Sequence, residues 1–323
     1  KDILLLGGRA DASSNAVVGY TDISYSDHAL LQRMLTYNTG IGVDIKGDVY
    51  SLGGFVANYV FYTFFRYATT PQKVTGHNTL DPHGYLVNIR KVVTGYRIGN
   101  LFLREDGQLI RKNSGPTSSF IENYYYDNII TPGETIIDID AGYWNDNPNM
   151  ILLTDANKIY VINYDSPNNT LYLGKSQIMP VPIKRVYHYS DSNHYSLDVN
   201  GTMYNSDFSA ITLPFKVAQF YQASRYGDNY ILLDTSGNVY EGTTGNFSDA
   251  TLTAIPGNEK IAFGFLNTRS PTDPLHTSVL ISTTGKVFTK GSAYANGFDV
   301  SKNVFTELNI PGGAKIKNVN MNE

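Results

Sequence analysis

The chain has 323 residues, with 25 Lys and Arg against 29 Asp and Glu, a net charge of −4, and no cysteine. The lack of thiols excludes disulfide scaffolds, cysteine-ligated zinc, iron–sulfur centres and cysteine nucleophiles. The acidic balance argues against nucleic acid as a partner, which would need a basic face.

Only 17% of residues are charged, whereas 29 are Gly, 25 Tyr and 30 Asn. That mixture suits many short strands joined by turns. With 41% hydrophobic residues the chain can build a core, which excludes wholesale disorder. No run approaches the roughly 18 apolar residues of a membrane-inserted helix. The longest aromatic run, Tyr59 to Tyr67, is broken by Thr63 and Arg66. The chain starts at Lys1 with no charged-then-apolar leader, which reads as a signal peptide absent or removed.

In chain order, Ile3-Leu4-Leu5-Leu6-Gly7-Gly8 comes first and matches Val49-Tyr50-Ser51-Leu52-Gly53-Gly54. Asp27 to Leu35 then predicts one short helix. After it a pattern recurs: an apolar run, a polar turn closing on Gly, and a second apolar pair. Its six copies have turn residues at Gly47, Gly107, Asn157, Gly201, Gly237 and Gly285, with gaps of 60, 50, 44, 36 and 48 residues. Asn at 157 is the substitution expected where the backbone is left-handed. Each copy predicts a tight hairpin.

Two more strands phase against each hairpin. A basic–apolar segment precedes most of them: 136–139, 183–186, 215–218, 260–263 and 315–319. Pro132, Pro182, Pro214, Pro256 and Pro311 stand just upstream, as at strand-to-strand corners. A fourth apolar piece, such as Leu252–Ile255 or Phe305–Ile310, comes before the proline. Four strands per repeat is the arithmetic of a propeller blade. The predicted fold is therefore all-β, a seven-bladed propeller occupying 1–323 as a single domain. Its closing blade is built from both chain termini: a first strand at 315–319 and late strands from Ile3 onward. No second strand for that blade is found between Met321 and Leu4, so either the blade is incomplete or the chain is a segment of a longer one.

The repeats resemble those of the propeller family named after the regulator of chromosome condensation. Val49-Tyr50-Ser51-Leu52-Gly53, Val239-Tyr240-Glu241-Gly242 and Val287-Phe288-Thr289-Lys290-Gly291 carry the resemblance, which covers nearly the whole chain in degenerate form. Leu52 or Lys290 stands where the family has Trp. The resemblance implies a seven-bladed propeller, not exchange-factor activity, since no residue of such a site can be matched. Sialidase-type turns are the nearest alternative, but the Asp-to-Gly spacing of 198–201 and 234–237 is one residue too long.

No catalytic, cofactor or metal constellation stands out. Asp138, Asp140 and Asp146 are acidic enough for a calcium site or a glycosidase pair, but calcium-loop spacing is lacking; they read as solvated loop residues. His77 and His83, like His188 and His194, are six apart and read as surface or turn residues. Asn168, Asn200 and Asn246 head Asn-X-Ser/Thr sequences, with Asn200 discounted because it falls in a tight turn.

Aromatic residues remain. Tyr59, Phe61, Tyr62, Phe64, Phe65 and Tyr67 form one cluster, within an insertion over 55–78. Tyr124, Tyr125 and Tyr126 form a second, and Tyr143 with Trp144 a third. Those that strand alternation leaves outside the core form the candidate contact surface. The composition and lack of a site point to a non-enzymatic attachment or structural module of a large extracellular assembly, a virion tail or capsid-associated protein. Its partners would be other structural proteins, or a host glycan or receptor. A secreted or surface glycan-binding propeller, or a polysaccharide-cleaving enzyme using acidic loops, are the alternatives.

Overall fold

In a computed structural model of the chain, the described residues are 2–6, 20–24, 33–36, 39–43, 49–53, 72–73, 88–95, 99–112, 120–122, 129–141, 150–165, 170–188, 193–222, 229–243, 245, 247–267, 277–291, 301–310, 313 and 315. Regular structure among them is almost all β. β1 (Asp2–Leu6) and β2 (Tyr20–Ser24) form a two-stranded sheet. The second sheet holds β3 (Arg33–Thr36), β4 (Thr39–Val43), β5 (Val49–Gly53) and β6 (Gln72–Lys73). The third holds β7 (Ile89–Gly95), β8 (Gly99–Arg104), β9 (Leu109–Lys112) and β10 (Phe120–Glu122).

The fourth contains β11 (Ile136–Ala141), β12 (Met150–Thr154), β13 (Lys158–Asp165) and β14 (Thr170–Ile178). The fifth contains β15 (Ile183–His188), β16 (His194–Asp198) and β17 (Met203–Tyr204), and Ala210 bridges to Tyr204 beside it. Next come β18 (Val217–Gln222), β19 (Tyr230–Asp234), β20 (Val239–Gly242) and β21 (Thr251–Thr253). β22 (Ile261–Asn267), β23 (Thr277–Ser282), β24 (Val287–Gly291) and β25 (Lys302–Leu308) complete the set. In every sheet the strands follow chain order and neighbours are antiparallel. One expectation is corrected: Arg33–Leu35, the end of the predicted helix, lie in strand β3, paired to β4. The rest of that helix, 27–32, falls outside the described residues.

The chain divides into two compact units: Ala29–Thr212, and Lys1–His28 together with Leu213–Met321. Each is a stack of sheets with apolar faces between them. In the first unit, Met150 and Leu152 of β12 face a core shared with Leu101, Leu103 and Leu109. Ile151 and Leu153, pointing the opposite way, join Met179, Ile183 and Val186. A strand covered on both faces reads as a continuous apolar run rather than an alternation, hence MILLT in β12 and YILLD in β19, buried at every position. In the second unit Ile231, Leu233 and Val239 pack against Ile261, Leu280, Phe288 and Phe305.

The turns are fixed at two points. The residue opening each turn donates its amide to the carbonyl just before the first strand of the same sheet: Glu105 to Asn88, Asp155 to Thr135, Val199 to Pro182, Thr235 to Lys216 and Thr283 to Lys260. The turn glycine then abuts the start of the next sheet. A Cβ on Gly107 would lie 2.1 Å from Thr135 Cγ2, one on Gly237 3.1 Å from Ile261 N, and one on Gly285 2.7 Å from Lys315 Cβ. These glycines have φ of +84°, +76° and +87°, so the backbone angle disfavours a side chain at all three, and space is lacking outright at Gly107 and Gly285 and tight at Gly237. Gly237→Ala is expected to cost about 2 kcal/mol, read by denaturant unfolding. Gly133→Ala, at φ +90° with nothing within 4 Å, should cost about half of that, because only the backbone is strained.

Within the turns, acidic side chains replace missing backbone partners. Asp234 Oδ1 accepts the amides of Ser236 (2.8 Å) and Asn238 (2.9 Å). Asp198 Oδ1 does the same for Asn200 and Thr202, both at 2.8 Å. These are Asx turns, the local chemistry for which Asp is selected in loops.

Candidate functional site

All five first strands from β7 onward carry the same irregularity, a register shift after their first residue, at 89/91, 136/138, 183/185, 217/219 and 261/263. The bulge turns the residue that follows it, Lys91, Asp138, Arg185, Gln219 or Phe263, into one equivalent position. At this position Asp138 ties three strands together. Its Oδ1 lies 2.6 Å from Lys91 Nζ on β7, and its Oδ2 accepts the Val186 amide of β15 at 3.0 Å. Two residues on, Asp140 Oδ2 accepts the His188 amide at 3.0 Å. In the other unit Gln219 Nε2 donates to the Ala262 carbonyl of β22 at 2.8 Å.

Asp138 and Asp140 are thus strand residues engaged between sheets, which corrects their reading as solvated loop carboxylates. The alternation was legible; the strand waiting on the polar side was not. Asp146 lies outside the described residues.

The second correction concerns histidine. His188 ends β15 and His194 begins β16, and the two are directly opposite in the ladder. Both rings are buried rather than at the surface, and among the described residues none of their four ring nitrogens has a hydrogen-bond partner. Burial pushes the His188 imidazole down to about 3, and the neighbouring His194 adds to this. Burial likewise brings His194 down to about 4, helped by the charge of Lys175. Both imidazoles are therefore neutral at pH 7. His77 and His83 lie outside the described residues.

Large apolar side chains exposed to solvent are not scattered. Among the described residues they are Tyr172, Leu173 and Ile178 of β14, Leu252 of β21, Val304 of β25, and Val199 in a turn. All but Val199 sit on the last strand of their sheet, whose outer edge has no further strand paired to it among the described residues. Ile178 is 63% exposed and Val304 69%. Such edges present unpaired backbone groups beside apolar surface, the usual substrate of strand-mediated contacts. The sequence-level contact residues Tyr59, Phe61, Tyr62, Phe64, Phe65, Tyr67, Tyr124, Tyr125, Tyr126, Tyr143 and Trp144 all lie outside the described residues. Asn200 is exposed in the β16–β17 turn as expected; Asn168 and Asn246 are outside the described residues.

No protein-family model matches the chain, and no curated protein matches it. Solved structures do. Human WBSCR16 superposes with a TM-score of 0.59 at 10% identity, over 95% of this chain and 89% of that one. BBS1N, solved in complex with ARL6DN, gives 0.53 at 11% identity, over 86% and 78%. Likeness at such identity shows fold, and together with the repeated antiparallel sheets it makes the chain similar to β-propellers.

Proposed function

We propose that the chain is a non-enzymatic propeller of the regulator-of-chromosome-condensation type, serving as an attachment module through which a large extracellular assembly, a virion, holds its parts. The placement of exposed apolar side chains on last strands carries this reading, because it offers protein partners apolar sheet edges, on β14 in one unit and on β21 and β25 in the other. The acids suited to an enzyme are engaged elsewhere: Asp138 with Lys91 and Val186, Asp140 with His188. That supports binding over turnover. The aromatic segments 59–67 and 124–126 are proposed as further contact residues on their sequence alone.

Seven blades closed by both termini are part of the proposal. β1 pairs β2 over five residues, as third strand pairs fourth elsewhere. Lys1–His28 belong to the compact unit that ends at Met321. Lys315 packs on Gly285 as Lys260 packs on Gly237 ahead of β22, which supports reading 315–319 as the first strand of the closing blade.

The test is cross-linking of the chain in its native particle, followed by binding of the recovered partner to edge variants. Tyr172→Ser with Leu173→Ser, or Leu252→Ser with Val304→Ser, should weaken binding at least about tenfold, with no change in melting temperature. A chain recovered as a free monomer, or variants that bind like wild type, would sink the reading. Turnover of a polysaccharide by wild type would replace it with the enzymatic alternative.

A further inference from the structure

The buried histidine pair is not absorbed by any binding role. Its surroundings explain what it does instead. His188 and His194 are the last register pair of the β15–β16 ladder, next to the connection at 189–192. Two like groups, each unable to be charged without repelling the other, stand opposite one another at that end of the ladder. From β11, Asp138 and Asp140 face this strand, but their carboxylates accept the amides of Val186 and His188. From β14 comes a cation: Lys175 Nζ donates to the Ser206 carbonyl and lies 5.3 Å from the centre of the Phe208 ring. That ring is itself 6.1 Å from His194. The His194 amide donates to Ser206 Oγ at 3.0 Å. Asp207, the carboxylate after β17, is exposed. Phe208 holds its position at φ +60°, a strained angle for an aromatic residue.

The next sheet supplies an internal comparison. Gln222 and Tyr230 occupy the same register pair, and Phe247, also at φ +60°, packs edge-on to Tyr230 at 4.7 Å. The framework is the same, down to the left-handed phenylalanine. The difference is that Tyr230 directs its hydroxyl to Asp249 at 2.8 Å, whereas the imidazoles of the fifth sheet have no acceptor to receive a new proton.

We propose that His188 and His194 form an acid-opened latch, closed while both rings are neutral, whose protonation parts β15 from β16 at the end that carries residues 189–192. Both groups titrate lower in the closed ladder than their ordinary value of 6.5. The closed form is thus fully favoured above pH 6.5 and loses ground as pH falls from there toward 4, because the open ladder binds protons first. From pH 7 to pH 5 each imidazole that opening frees multiplies the open population about 25-fold.

Hydrogen exchange on the whole chain reads this directly. Amides of 183–188 and 194–198 should lose protection about 25-fold or more between pH 7 and pH 5, after correction for intrinsic rates. Amides of 217–222 and 230–234 should change less than about twofold, since nothing titratable in that range sits at their register pair. His188→Gln with His194→Tyr copies the neighbouring pair and should abolish the difference. If that variant fails to fold, proton NMR of wild type decides: two of the six histidines should stay neutral at pH 6. The inference is overturned if both segments lose protection equally, if the loss persists in the double variant, or if all six histidines titrate near 6.5 in the folded chain. Protection of 183–198 by added Zn2+ at pH 7 would assign the pair to a metal and overturn it equally.

Discussion

Asn157→Ala is expected to destabilise the first unit by about 4 kcal/mol, measured as a fall in the denaturant midpoint with unchanged slope. Asn157 takes the place that glycine holds in the other turns. Its φ is +56°, which Asn tolerates and Ala resists by about 1 kcal/mol. Its side chain then does what glycine cannot. Nδ2 donates to the Met179 carbonyl at 2.8 Å and to that of Val181 at 2.9 Å, while Oδ1 accepts the Ile183 amide at 2.7 Å. Three bonds at about 1 kcal/mol each make up the remainder. Asn157→Gly restores the backbone but none of the bonds, so it should cost about 3 kcal/mol. A glycine variant as stable as wild type would show that the amide contributes nothing to the junction.

Asp138→Ala follows at about 3 kcal/mol by the same measurement. The substitution takes the carboxylate acceptor from the Val186 amide and the counter-ion from Lys91, whose side chain is only 15% exposed. Unmaking a largely buried ion pair is costly because the remaining charge stays desolvated. Asp138→Asn keeps an acceptor for Val186 and should cost about half as much. Asp207→Asn, on an exposed residue, is the control, within about 0.5 kcal/mol of wild type. An alanine variant that matches this control would mean the three strands are held by packing alone.

Much of this architecture was written in the chain. The turn signals near 107, 157, 201, 237 and 285 are local, requiring left-handed backbone at one residue, and local signals survive without knowledge of the partner sheet. The apolar runs 151–153, 231–233 and 279–281 read as hairpin strands for a similar reason, and the structure adds that they are covered on both sides. The errors arose where the deciding partner is distant. Leu30, Leu31, Met34 and Leu35 have helical spacing, but Arg33–Thr36 pair with β4, so tertiary pairing overrides the local pattern. Asp138 looked solvated because its polar side is filled by strands 47 and 48 residues away. The histidines were judged by Tyr-Ser-Asp-Ser-Asn at the tip between them, yet a spacing of six across a hairpin already sets two residues opposite each other. Phe208 had no signal at all: nothing in Asp207-Phe208-Ser209 announces a left-handed aromatic.

The contact of four turns with the start of the next sheet gives assembly a direction. Gly107 waits for Thr135, Asn157 for Ile183, Gly237 for Ile261 and Gly285 for Lys315, so at these four junctions the residue that seals a sheet is synthesised after it. In linear repeat arrays stability comes from nearest-neighbour coupling as well as from each repeat. Here part of that coupling, beside the apolar cores and the contacts of Asp138, is lodged in a few turn residues and points from the earlier sheet to the later. A nascent chain therefore carries one unsealed sheet at its growing end, and removing a stretch from the C-terminal side unseals the sheet before it rather than trimming the stack cleanly.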